Sequence, residues 1–141
     1  MATFKRESTG GAETKGTIVG TEQEAAVEAA VHDYITSWYA GVADGMARTL
    51  HEELVKRAVD PEAPPGSGAI REVTRQAMID ATAAGGGAAP DTAIEVVVEH
   101  VEGDIASARV ATPDYLDYVH LVRTESGWRI VNDLYRSRSA G

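Results

Sequence analysis

Asp117 and Asn132 each sit inside an apolar-rich run, and that placement gives this chain its most pointed chemistry. The runs 115–123 and 128–135 flank Thr124-Glu125-Ser126-Gly127, a loop of turn formers ending in Gly, which reads as a β-hairpin. With Arg123 facing Trp128, Val119 pairs with Asn132, Leu121 with Ile130 and Asp117 with Leu134. That register turns Asp117, Val119, Leu121, Ile130, Asn132 and Leu134 to one face, taken as concave, and Tyr118, His120, Val131 and Asp133 to the other. A loop of different hydrogen-bonded length reverses the assignment. A carboxyl in an apolar cup has its pKa raised toward neutrality, as proton transfer at carbon requires, and Asn132 is then its hydrogen-bonding partner. Asp117 can equally serve a backbone group or a Tyr hydroxyl, or hold a ligand without chemistry.

Other residues bear on the same cavity. Tyr34 and Trp38 lie four apart, one helical turn, and form an aromatic wall or ordinary core. Met46 suits an irregular wall, and His51 falls near the expected pocket mouth. His32, His51, His100 and His120 lack metal-ligand spacing, and His51-Glu52-Glu53-Leu54 lacks the second His of a helical zinc motif. No metal or cofactor is expected. No nucleophile elbow, phosphate loop or dinucleotide fingerprint occurs, and Gly85-Gly86-Gly87 follows a helix rather than opening one.

The elements that must position these groups follow from periodicity. Residues 1–20 show none and are expected to form a flexible arm. Thr21 and Glu24 then form a capping box before Val27, Ala30, Val31, Tyr34, Ile35 and Trp38, spaced as an amphipathic helix that Gly41 ends. Asp44 is expected to cap a second helix burying Met46, Ala47 and Leu50. Strands are predicted over 54–59 and 70–73, with a Pro/Gly loop between, and Thr74 caps a third helix presenting Ala77, Met78 and Ala81; a longer helix from Ala69 is the alternative to the second strand. From Thr92 the period becomes two, through Ile94, Val96 and Val98, then Ala106, Ala108 and Val110. Ala106 and Ala108 either leave volume for a cavity or let a helix approach closely. The order is α+β, with helices gathered on one sheet face.

At 141 residues and 43% hydrophobic, the chain has the size of one domain with a substantial core: arm 1–20, domain 21–136, tail 137–141. Its net charge of -9 repels phosphate backbones and anionic membranes. Zero cysteines exclude disulfides and thiolate chemistry. No run reaches the roughly 20 apolar residues of a membrane span, no secretory h-region follows Lys5 and Arg6, and a cytoplasmic location is expected.

The first helix with Tyr34 and Ser37-Trp38-Tyr39, then residues 46–51, Asp117-Tyr118-Val119-His120-Leu121-Val122 and Gly127-Trp128-Arg129-Ile130-Val131-Asn132 carry a resemblance over 22–135. The chain resembles the nuclear transport factor 2-like superfamily, within it the putative lumazine-binding proteins beside the SnoaL-like cyclases. The resemblance implies a cone-shaped, curved antiparallel sheet wrapped on three N-terminal helices, the cystatin-like roll, and a pocket. It implies that the first-helix tyrosine, here Tyr34, can donate to an oxyanion. It also implies pairing through the convex sheet face, where Val97, Ile105, Tyr118, His120 and Val131 would form a mixed outer patch. The expected function is binding of a small apolar or aromatic molecule by Tyr34, Trp38, Met46, His51, Asp117 and Asn132. The alternatives are an isomerase, dehydratase or cyclase with Asp117 as base and Tyr34 or Asn132 on the oxyanion, and a structural dimerisation module.

Overall fold

A computed structural model describes residues 10–87 and 91–138, with side chains from Thr21 onward. Residues 1–9 of the expected arm and 139–141 of the expected tail lie outside the described residues. Helix α1 spans Gly10–Ala40, so it begins ahead of the cap expected at Thr21. No proline interrupts residues 10–40, and a capping box stops a helix only where the preceding backbone leaves helical geometry. Val27, Val31, Tyr34 and Ile35 form its buried stripe as the spacing predicts. Gly41 closes it at φ +75°, and Val42 donates its N–H to the Ser37 carbonyl at 2.9 Å.

Helix α2 is Ala43–Thr49. Asp44 lies in its first turn, where a carboxylate favours the dipole, rather than at the cap, which Val42 occupies without a side-chain bond. Met46 is fully buried, and Leu50 opens strand β1, Leu50–Val59. Strand β2, Ile70–Val73, folds back on it antiparallel. Thr74 then caps α3, Arg75–Ala83, accepting the Ala77 N–H at 3.0 Å. The buried face of α3 holds Met78 and Thr82, whereas Ala77 and Ala81 are exposed.

Strands β3 (Glu95–Glu102), β4 (Ile105–Ala111), β5 (Tyr115–Thr124) and β6 (Gly127–Ser137) complete one six-stranded sheet, ordered β2-β1-β6-β5-β4-β3. The expected all-antiparallel sheet is mixed, because β1 runs parallel to β6. That pairing is possible because the β1–β6 connection contains α3 and four strands, enough chain for a crossover. Ala106 and Ala108 are buried under α1, which packs on β3 and β4, so their small size serves close helix–sheet approach.

The hairpin register decides the site. Arg123 faces Trp128 and Leu121 faces Ile130, as expected, but His120 faces Asn132 and Val131 is left as an extra residue. This β-bulge reverses the orientation of everything beyond it on β6. Val119 pairs with Asp133 and Asp117 with Tyr135, so Asp133 and Tyr135 turn inward while Asn132 and Leu134 turn out. Asp117, Val119, Leu121 and Ile130 keep the concave face assigned to them, all at 2% exposure or less.

Candidate functional site

Four polar side chains meet inside the sheet's concavity, each delivered by a different element. Tyr34 comes from α1, Lys56 from β1, Asp117 from β5 and Asp133 from β6, and none is more than 4% exposed. Lys56 Nζ donates to Tyr34 Oη at 2.9 Å and contacts Asp133 Oδ2 directly, with Asp117 Oδ2 at 3.5 Å. The Tyr34 hydroxyl lies 3.0 Å from Asp117 Oδ2 and 3.1 Å from Asp133 Oδ2, so its single proton bridges one carboxylate or the other. Two carboxyls against one ammonium leave the buried group short of one positive charge, and a second proton closes the difference.

The surroundings of Asp117 favour holding that proton. Burial raises its pKa well above the ordinary carboxyl value, the charge of Asp133 raises it further, and together these outweigh Lys56. Burial likewise holds the Tyr34 phenol well above its usual pKa, followed by repulsion from Asp117 and Asp133, so it remains a donor. Burial pulls Lys56 toward neutrality, but Asp133 and then Asp117 more than compensate and its pKa is raised. The group is a Lys56–Asp133 ion pair beside an Asp117 whose burial disfavours its charged form.

A cavity of about 100 Å³ opens next to this cluster. Ile35 and Trp38 wall it from α1 and Met78 from α3, with Lys56, Asp117 and Tyr34 at its polar end. Tyr115 and Tyr135, both partly exposed, stand with Trp38 at the opening. Their rings meet edge to face, Trp38 on Tyr115 at 6.3 Å and Tyr115 on Tyr135 at 5.9 Å. The Lys56 ammonium lies 4.2 Å from the Tyr135 ring centre and 5.4 Å from that of Tyr34. Behind Trp38 runs the glycine tract. Gly87 donates its N–H to the Trp38 carbonyl at 3.0 Å, and a Cβ on Gly86 would stand 1.9 Å from that oxygen. Only glycine lets this loop back the pocket wall so closely.

Of the residues singled out from sequence, Tyr34, Trp38 and Asp117 gather at this cavity. Met46 does not line it, being fully buried in the adjoining core. His51 stays at the start of β1, where Nδ1 accepts the Glu53 N–H at 2.9 Å. Asn132 is exposed on the opposite face, its Nδ2 3.3 Å from His120 Nδ1, because the Val131 bulge turned it out. Sequence reasoning missed Lys56, Asp133, Tyr115 and Tyr135. Lys56 was detectable by parity with the buried Ala58 on β1, whereas Asp133 and Tyr135 required the bulge.

Solved structures share the fold. An NTF-2-like protein of unknown function from Silicibacter pomeroyi superposes with a TM-score of 0.70 at 24% identity, covering 84% of this chain and 98% of that one. An NTF2-like protein of unknown function from Shewanella baltica gives 0.70 at 18%, covering 83% and 94%. An NTF2-like protein with a cystatin-like fold from Novosphingobium aromaticivorans gives 0.59 at 16%, covering 96% and 94%. No curated protein matches the chain. The family described as "Putative lumazine-binding" matches residues 22–136, and the chain belongs to that family.

Proposed function

We propose that this domain binds a small planar organic molecule, one ring deep, with a polar edge against Asp117. The observation that carries this reading is an aromatic-walled opening that converges on one buried carboxyl, Asp117. A cavity of about 150 Å³ takes a benzene, so the roughly 100 Å³ here suits a single ring, with any second ring projecting past Tyr115 and Tyr135. A lumazine, a fused two-ring heterocycle, would bind by one end only. The expected result is a raised melting temperature with lumazine and with one-ring heterocycles, since a ligand at 100 times its Kd adds about 2.7 kcal/mol to folding stability. A melt unmoved by any planar ring compound, while aliphatic compounds of equal size shift it, would overturn the proposal.

The raised pKa of Asp117 favours a second reading, acid–base catalysis of isomerisation, dehydration or cyclisation. Asp117 then enters the cycle as an acid, with the Tyr34 hydroxyl beside it as a donor to developing negative charge. In that case Asp117→Asn abolishes turnover but keeps ligand binding, and turnover surviving in the variant rules the reading out.

We also propose that two copies pair through the convex sheet face. Ile105 is 60% exposed, Tyr118 50% and Leu134 48%, an apolar patch that a lone small domain would leave wet. Leu134 joins this patch because the Val131 bulge turned it outward. Sedimentation equilibrium should find a dimer at micromolar concentration and a monomer for Tyr118→Glu. A wild-type monomer under those conditions contradicts the pairing.

A further inference from the structure

We infer that the pocket is built for a basic ligand, a small aromatic amine or protonated nitrogen heterocycle, whose positive charge pairs with the Asp117 carboxyl at the cavity's polar end. The inference rests on the small-molecule reading above and deepens it by naming the ligand's charge class.

The argument starts from donors already spent. The Lys56 ammonium donates to Tyr34 Oη at 2.9 Å and to Asp133 Oδ2, and Asp117 Oδ2 lies 3.5 Å from it. Among the described residues the cavity lining holds no cation besides Lys56, which is engaged with Asp133, and a chain of net charge -9 steers anions away. The titratable groups facing Asp117 are Tyr34 from α1, Lys56 from β1, Asp133 and Tyr135 from β6, and Tyr115 on its own strand. On β4 its partner is the apolar Val110. Two carboxyls and one ammonium make this set one positive charge short, and of the two carboxyls only Asp117 borders the cavity.

The cavity wall agrees with that deficit. Tyr34, Trp38, Tyr115 and Tyr135 present four electron-rich rings around about 100 Å³, and two of them already hold the Lys56 ammonium. Lys56 repels an incoming cation, but its charge is held against Asp133, while the ligand meets Asp117. The exchange balances. An ammonium ligand pairs with the Asp117 carboxylate as its proton leaves to solvent. A neutral base instead takes that proton, the Asp117 O–H bond breaking as the ligand N–H bond forms, with no net release.

Benzylamine, benzyl alcohol and benzoate share one ring and differ in charge, and calorimetry at neutral pH in phosphate and in Tris compares both affinity and protons released. Benzylamine should bind about tenfold or more tighter than benzyl alcohol, as expected for a charge-assisted over a neutral hydrogen bond. Its binding should release up to one proton, and benzoate should not bind. Asp117→Asn should bring amine and alcohol to similar affinities without proton release. Equal or tighter binding of the alcohol by wild type overturns the charge inference and leaves the pocket standing. Failure of all three to bind removes the pocket reading with it. Should Asp117→Asn not fold, the wild-type proton count decides alone, and amine binding without release overturns the inference.

Discussion

Replacing Lys56 with methionine should destabilise the fold by about 3–5 kcal/mol, the cost of stranding an uncompensated buried charge. Lys56 Nζ is the only cation within reach of Asp133 Oδ2 and Asp117 Oδ2 among the described residues, and its side chain is 3% exposed. Methionine keeps the length and apolar stem, so the loss is the charge and two hydrogen bonds rather than packing. The Asp133 carboxylate then has only Tyr34 Oη, since its other oxygen is buried and already without a partner. Adding Asp133→Asn to Lys56→Met should recover most of the loss, because the amide removes the stranded charge. The two aspartates should respond differently on their own. Asp133→Asn leaves Lys56 to the Asp117 carboxyl at 3.5 Å and should cost less than Lys56→Met, whereas Asp117→Asn removes a carboxyl whose charged form burial disfavours and should cost little or even stabilise at neutral pH. Urea unfolding at constant m-value measures all four variants. A Lys56→Met loss below about 1 kcal/mol would mean that water reaches the cluster and screens it.

The architecture was legible because local patterns and global fold agree. The stripe from Val27 to Ile35, the Thr74 cap and the alternation of Ala106, Ala108 and Val110 all appear where spacing put them. The site was half legible for one physical reason. Side-chain direction in a strand depends on counting residues from a fixed pair, and a single bulged residue inverts the count beyond it. Leu121 and Ile130 lie on the turn side of Val131, and their placement held. Asn132 and Leu134 lie beyond it and exchanged faces with Asp133 and Tyr135. Asp117 escaped the error because the extra residue is on β6 and leaves the parity of β5 intact. Nothing in Ile130-Val131-Asn132 marks a bulge, since no glycine or proline is present. The selection lies in tertiary structure, where an inward Asp133 meets Lys56 from the parallel neighbour strand.

Stability should fall as pH rises through the mildly acidic range, and Asp117 should be the cause. In the unfolded chain its carboxyl releases its proton near pH 3.9, whereas in the folded chain burial, followed by the Asp133 charge, keeps the proton bound well above that. Between those two values the native state holds one proton more than the unfolded state, so the free energy of unfolding decreases with pH by up to about 1.4 kcal/mol per pH unit. Below the unfolded value both states are protonated and the contribution is flat; above the raised folded value it is flat again. Lys56 acts at the alkaline end, where the stability its raised pKa confers is lost as pH climbs through that value. Exposed carboxylates contribute their own slopes, so the informative quantity is wild type minus Asp117→Asn. The amide cannot titrate, and the variant should gain on wild type with each unit of pH across the window, by up to about 1.4 kcal/mol. Urea midpoints taken at intervals between about pH 4.5 and 7.5 give the curve. A difference that stays flat across it would mean that Asp117 is ionised throughout. A difference of opposite slope would make Asp117, rather than Asp133, the partner that holds the Lys56 charge.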